Sequence, residues 1–228
     1  MSLTIGFLIY PRMTQLDFTG PFEVLSRMPG AQVHVAAKTL EPVISDTGLQ
    51  ILPSVTLEDC PQLDVLVVPG GPHVDEWYGD DEILGFLRQQ AARARYVTSV
   101  CTGSLILGAA GLLDGYRATT HWSSLDFLKP FGAIPTEGRV VRDRNRITGG
   151  GVTAGIDFAL ELVAELQGEE TTKMLQLALE YDPAPPFIGG HPKSAEAGTL
   201  ETVSTMMAER LDRRRLASLR SGQAAGLS

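Results

Sequence analysis

The run Val65-Leu-Val-Val is apolar at every position and halts at Pro69-Gly70-Gly71. A strand with one wet face alternates apolar and polar residues, whereas an unbroken apolar strand is buried on both faces, as in a parallel sheet covered by helices. The rest of the chain reads in that frame. Residues 4–10 form a short apolar run of β-formers, and Thr19-Gly-Pro-Phe-Glu-Val-Leu opens like a helix with Thr19 as N-cap and Pro21 in the first turn. Residues 31–37 read as a strand and 42–53 as irregular or hairpin-like. Residues 80–93 carry helical spacing in Ile83, Leu84, Leu87 and Ala91, 95–100 is the next buried strand, and 104–113 is a small apolar helix. Strands at 139–141 and 146–148 flank a turn at 143–145, and 154–167 is a helix. The alternation predicts a doubly wound, mostly parallel α/β sheet flanked by helices, flavodoxin-like in architecture, over residues 1–182.

After Tyr181 the composition changes. Asp182-Pro-Ala-Pro-Pro-Phe-Ile-Gly-Gly-His-Pro is too rich in proline and glycine for a regular element, and helical character resumes at 200–219. Residues 183–228 are therefore a connector and a C-terminal helical arm. Val203, Met207 and Leu211 share one stripe of that helix, with Arg210, Arg213, Arg214 and Arg215 elsewhere. Two fates are open to the arm: packing on a second subunit, or lying on the surface with a basic face in solvent.

Within such a sheet, one position invites chemistry. Ser99-Val-Cys-Thr-Gly-Ser places Cys101 where a buried strand stops and a helix starts, with small residues on either side, the pattern of a strand–nucleophile–helix elbow. Helix N-terminal amides and their positive dipole end favour a thiolate. The competing reading of Cys101 is a small core hydrophobe. Cys60, before Pro61 and outside any elbow, is read as structural. Asp17 lies just past the first strand, on the same sheet edge as Cys101 if the two strands run parallel; the alternative is an ordinary helix-start carboxylate. Gly70 and Gly71 end another strand and are placed to turn backbone amides toward developing negative charge. Thr102 offers an amide and a hydroxyl. His121, in Ala118-Thr-Thr-His-Trp, is the candidate general base, although it falls in a stretch that reads as strand. Gly149-Gly-Gly-Val-Thr-Ala matches the outline of a dinucleotide loop but lacks an acidic residue after a following strand, so it is read as a tight turn, with Gly150 bordering the Cys101 pocket.

Charge and cysteine count narrow the partners. Twenty-seven acidic against nineteen basic residues give a net charge of -8, which opposes attraction to nucleic acid or anionic membranes and favours a small-molecule ligand. No run approaches the ~18 apolar residues of a membrane span, no leader pattern precedes the first strand, and a cytoplasmic location is expected. Two cysteines without a close pair, and His34, His73 and His191 without paired spacing, predict neither a disulfide framework nor a metal site.

Leu16-Asp-Phe-Thr-Gly-Pro, Val67-Val-Pro-Gly-Gly, and Ser99-Val-Cys-Thr-Gly-Ser-Leu-Ile-Leu-Gly-Ala-Ala-Gly-Leu-Leu-Asp-Gly with Ala118-Thr-Thr-His-Trp together resemble the class I glutamine-amidotransferase-like superfamily that includes the PfpI-type proteases. The resemblance spans the first strand to Tyr181. Within the superfamily the chain looks most like the isocyanide hydratases, including the segment Glu180-Tyr-Asp-Pro-Ala-Pro-Pro-Phe. Protease-type members carry a histidine directly after the cysteine; here Thr102 stands there, against a protease reading. The resemblance implies Cys101 as nucleophile, Asp17 as the carboxyl group contacting it, Thr102 as a supporting donor, an isocyanide substrate hydrated to a formamide without a cofactor, and a homodimer. The alternatives it leaves are a 2-oxoaldehyde hydratase or deglycase, a ligand-sensing domain like those of AraC-type regulators, and a redox sensor oxidised at Cys101.

Overall fold

A computed structural model describes residues 2–224 and 226. In chain order the strands are β1 (Leu3–Leu8), β2 (Ala31–Ala37), β3 (Val43–Ile44), β4 (Gln50–Ile51), β5 (Val55–Thr56), β6 (Val65–Val68), β7 (Tyr96–Val100), β8 (Arg117–Ala118), β9 (Ile134–Pro135), β10 (Val140–Asp143) and β11 (Arg146–Gly149). The helices are α1 (Gln15–Leu25), α2 (Asp81–Ala91), α3 (Gly103–Ala109), α4 (Ala154–Gln167), α5 (Glu169–Ala178) and α6 (Ala197–Ala224), with 3-10 segments at Val74–Trp77 and Trp122–Phe131.

Seven strands form one sheet in the order β10-β11-β7-β6-β1-β2-β5, parallel throughout except for β10, which runs antiparallel to β11. Every residue of β6 is buried, as its unbroken apolar run requires. The strand order reverses direction between β1 and β6, the topological switch point at which such sheets build their sites. β3 and β4 make the expected hairpin.

Several expectations need correction. α1 starts at Gln15 behind Thr14, not at Thr19, and Pro21 lies well inside the helix. Thr19 is not a cap: its hydroxyl donates to Gln15 Oε1 within the same helix at 2.9 Å. The preference of proline for a first turn is overridden here by packing of α1 on α4, where Pro21 Cδ approaches Gly155. The helix expected over 104–113 ends at Ala109, because Gly111 adopts a left-handed φ of +76°. His121 is not on a strand; it precedes the 3-10 segment Trp122–Phe131. β5, β8, β9, α5 and both 3-10 segments were not read as elements from the sequence, each being short or weakly apolar.

The arm is longer than expected and turns back on its own chain, packing on Trp122–Phe131, Val74–Trp77 and α3. Its half-buried residues Val203, Met207 and Leu211 continue into the buried stripe Arg214, Ser218 and Gly222. Arg214 thus belongs to the inner face and not to a solvated basic one. A Cβ at Gly222 would stand 2.0 Å from the Pro130 carbonyl oxygen, so the helix is seated by a backbone approach only glycine permits.

Glycine also sets how closely α3 meets the sheet. A Cβ on Gly103 would lie 2.2 Å from the Val68 carbonyl oxygen, whereas one on Gly85, exposed in α2, meets nothing within 4 Å. Gly103→Ala is expected to cost about 1–3 kcal/mol by overpacking, and Gly85→Ala to add about 0.5–1 kcal/mol through helix propensity. Urea unfolding of the two variants checks both signs.

Candidate active site

The C-terminal ends of β7, β6 and β1 lie side by side, and each delivers one part of the site: Cys101 after β7, the Pro69–Pro72 turn after β6, and Asp17 in the first turn of α1 after β1. Cys101 has φ +54°, a left-handed conformation rare for a residue with a Cβ and characteristic of strained functional turns. Three hydrogen bonds hold it there. Its N–H donates to Gly149 O at 3.0 Å, and its carbonyl accepts from Thr120 Oγ1 at 3.0 Å and Ser104 Oγ at 3.2 Å.

The glycine turn is packed between Thr102 and Asp17. A Cβ at Gly70 would fall 2.5 Å from Thr102 N, 2.7 Å from Thr102 Oγ1 and 2.8 Å from Asp17 Oδ2. The Gly70 amide donates to Asp17 Oδ2 and the Gly71 amide to Thr102 Oγ1, each at 3.0 Å. These two N–H groups are therefore committed to orienting the acid and the threonine, and are not free donors for an oxyanion. The Thr102 amide is the backbone group that favours negative charge on the Cys101 sulfur.

Asp17 is fully buried, and its Oδ1 has no hydrogen-bonding nitrogen or oxygen among the described residues. Burial pushes its carboxyl up to about 8, against the Gly70 amide and the Cys101 side chain, which favour the ionised form. Burial also pushes the Cys101 thiol up, as does an ionised Asp17; the Thr102 amide and Arg214 pull it down. The expected helix-terminus effect is present but outweighed by desolvation. Near neutrality the pair is a carboxylic acid beside a thiol, and a neutral Asp17 places no repelling charge next to a forming thiolate.

Gly150 and His121 sit farther out. Both line a cavity of about 880 Å³ together with Thr120, Arg139 and, from the connector, His191 and Lys193. Thr120 joins the cavity to the elbow, since its hydroxyl reaches the Cys101 carbonyl. The Gly150 N–H is taken by Arg139 O at 2.8 Å, leaving Gly150 as wall and not as donor. His121 is lowered to about 4 by burial and by Arg214 and Arg210, and its Nδ1 pairs with Ser123 Oγ at 2.8 Å. An imidazole so depressed is a poor base, and it makes no hydrogen bond to Cys101. Sequence reasoning missed Thr120, which it quoted within Ala118-Thr-Thr-His-Trp without assigning it a role, and Arg214, which looked like one of several surface arginines.

Residues 4–165 match the model of the DJ-1/PfpI family. The chain belongs to this family. Among its members, a Pseudomonas putida protein named isonitrile hydratase is 58% identical over 201 residues, covering 88% of each chain. The crystal structure of a ThiJ/PfpI family protein from Pseudomonas syringae superposes with a TM-score of 0.94 at 49% identity, over 96% of this chain and 91% of that one. The similarity extends to regulators: the HTH-type transcriptional regulator GbdR of Pseudomonas aeruginosa is 30% identical over 78% of this chain but only 51% of its own length. Among the described residues no helix is long and apolar enough to cross a membrane.

The buried acid predicts a pH-dependent stability difference. Below the ordinary carboxyl value of 3.8 Asp17 is protonated whether folded or unfolded, and nothing is lost. Between there and about 8 only the unfolded chain ionises, so folding stability falls as pH rises. Asp17→Asn escapes that loss and is expected to gain on wild type by about 1.4 kcal/mol per pH unit across the window. Unfolding curves of both proteins at several pH values test this; a constant difference would mean that Asp17 is ionised in the fold.

Proposed function

We propose that this protein is an isocyanide hydratase, converting R–N≡C and water to an N-substituted formamide through a covalent Cys101 intermediate. The observation that carries the reading is the buried Asp17–Cys101 pair, an acid kept neutral beside a nucleophile, in a chain 58% identical to a named isonitrile hydratase. An isocyanide is neutral, and its terminal carbon is both proton acceptor and electrophile. A buried, uncharged acid–thiol pair suits it.

In the first half-reaction Asp17 gives its carboxyl proton to the terminal carbon, the thiol proton passes to the carboxylate, and the sulfur bonds to that same carbon. The product is the thioimidate R–N=CH–S–Cys101, with Asp17 again protonated. In the second, Asp17 protonates the imine nitrogen while water adds to the carbon and returns a proton to the carboxylate. The adduct R–NH–CH(OH)–S–Cys101 then breaks its C–S bond, its hydroxyl proton reaching the sulfur by way of Asp17, and R–NH–CHO leaves. The Gly70 amide holds Asp17 in place, and the Thr102 amide supports negative charge on sulfur. The cavity beside Thr120 accepts the R group. Working as a homodimer in the cytoplasm is part of this reading.

Purified protein mixed with an aryl isocyanide is expected to form the formamide, and Cys101→Ala to form none. Asp17→Asn should lower kcat by about 10²-fold or more, the usual share of a general acid. The wild-type rate should fall as pH rises through about 8, where the Asp17 proton is lost. Absence of formamide with several aryl and alkyl isocyanides, alongside consumption of a 2-oxoaldehyde such as methylglyoxal, would reverse the assignment.

A further inference from the structure

Arg214 is 3% exposed, on the inner stripe of α6. Its Nη2 donates to Gly71 O at 3.2 Å and Pro72 O at 3.1 Å, and its Nη1 donates to Ser124 Oγ at 2.8 Å. All three acceptors are uncharged. The nearby carboxylate Asp75 is held by the neighbouring Arg213 at 2.6 Å, and Arg214 forms no ion pair among the described residues. A guanidinium keeps its proton in proteins, and a buried charge lacking an opposite charge is expensive. Such a charge persists where something in the protein's working cycle answers it. In the proposed chemistry negative charge develops on the Cys101 sulfur and on Asp17, and of the two it is the sulfur that Arg214 acts on.

Geometry links the two. Gly71 O accepts from Arg214 and also from Thr102 Oγ1 at 3.0 Å, and Thr102 follows the nucleophile directly. The same turn orients Asp17 through Gly70 N–H. The close seat of Gly222 on Pro130 fixes the helix two turns beyond Arg214. We propose that Arg214 is a positioning residue of the Cys101 site, pinning the Pro69–Pro72 turn by two carbonyls and supplying a buried positive charge that favours the thiolate. The arm is then a working part of the site. The groups facing this charge are Cys101, Tyr78, Tyr10, Asp75, Arg210 and His121; those facing the sulfur are Asp17, Tyr10 and Arg214. The assignment deepens the thiol chemistry proposed above, but its test requires no isocyanide.

In a Cys60→Ser background, the pH dependence of Cys101 alkylation by iodoacetamide reads the thiolate directly. Arg214→Met is expected to move the profile up by about one pH unit, so that alkylation below the midpoint is about tenfold slower. Arg214→Lys, which restores charge without the planar fork, should recover most of that rate. If the Met variant does not fold, Arg214→Gln, which keeps an N–H donor for the turn and drops only the charge, should give the same upward shift. An unshifted profile in a folded neutral variant, or a lysine variant as slow as the neutral one, overturns the proposal. Since alkylation is independent of turnover, a protein inactive on isocyanides but showing the charge-dependent shift would reject the hydratase reading and keep this one.

Discussion

Four residues, Pro69 to Pro72, hold the three strand ends of the site together, and their backbone is fully employed in doing so. Pro69 O accepts from the Tyr10 hydroxyl, Gly70 O from Thr14 N–H, Gly71 O from Thr102 and Arg214, and Pro72 O from Arg213 and Arg214. The two amides that the prolines leave reach Asp17 and Thr102. A buried turn must satisfy every polar group it carries, and this one does so by touching each element that contributes to the site. Displacing it by the width of a methyl group at Gly70 would push on the acid and on the Thr102 amide at once.

That arrangement explains why the fold was largely legible in sequence while the site was legible only in part. Unbroken apolar runs such as Val65–Val68 and the 3.6-residue spacing of α2 and α4 are local signals, and they locate strands and helices without knowledge of the partners. Cys101, Asp17, Thr102 and the glycine pair follow from the same logic, because parallel neighbours bring their C-terminal ends to one edge. The glycines' employment did not follow: the sequence shows that their amides exist, not which acceptors claim them. Gly150 and His121 illustrate the same limit, one with its N–H drawn away by Arg139 and the other depressed by burial.

Arg214 shows the limit from the opposite direction. On a helix with four arginines within six positions, composition alone suggests a solvated basic face. What selects the inner one is the four-residue stride linking it to the buried small residues Ser218 and Gly222, the latter letting the helix approach Pro130. The polarity of a side chain pointed away from the truth, whereas the small size of its neighbours one and two turns on pointed toward it.

The span between Gly71 and Arg214 is 143 residues along the chain. At roughly 5–20 residues per second of synthesis, some 7–30 s separate the emergence of the two from the ribosome. In the later part of that interval, once β11 has emerged, a nascent chain carries Cys101 and Asp17 on the strands of the sheet but not yet the helix that packs on the turn between them. Cys101 is thus made before its surroundings are finished, and the buried positive charge near it arrives last.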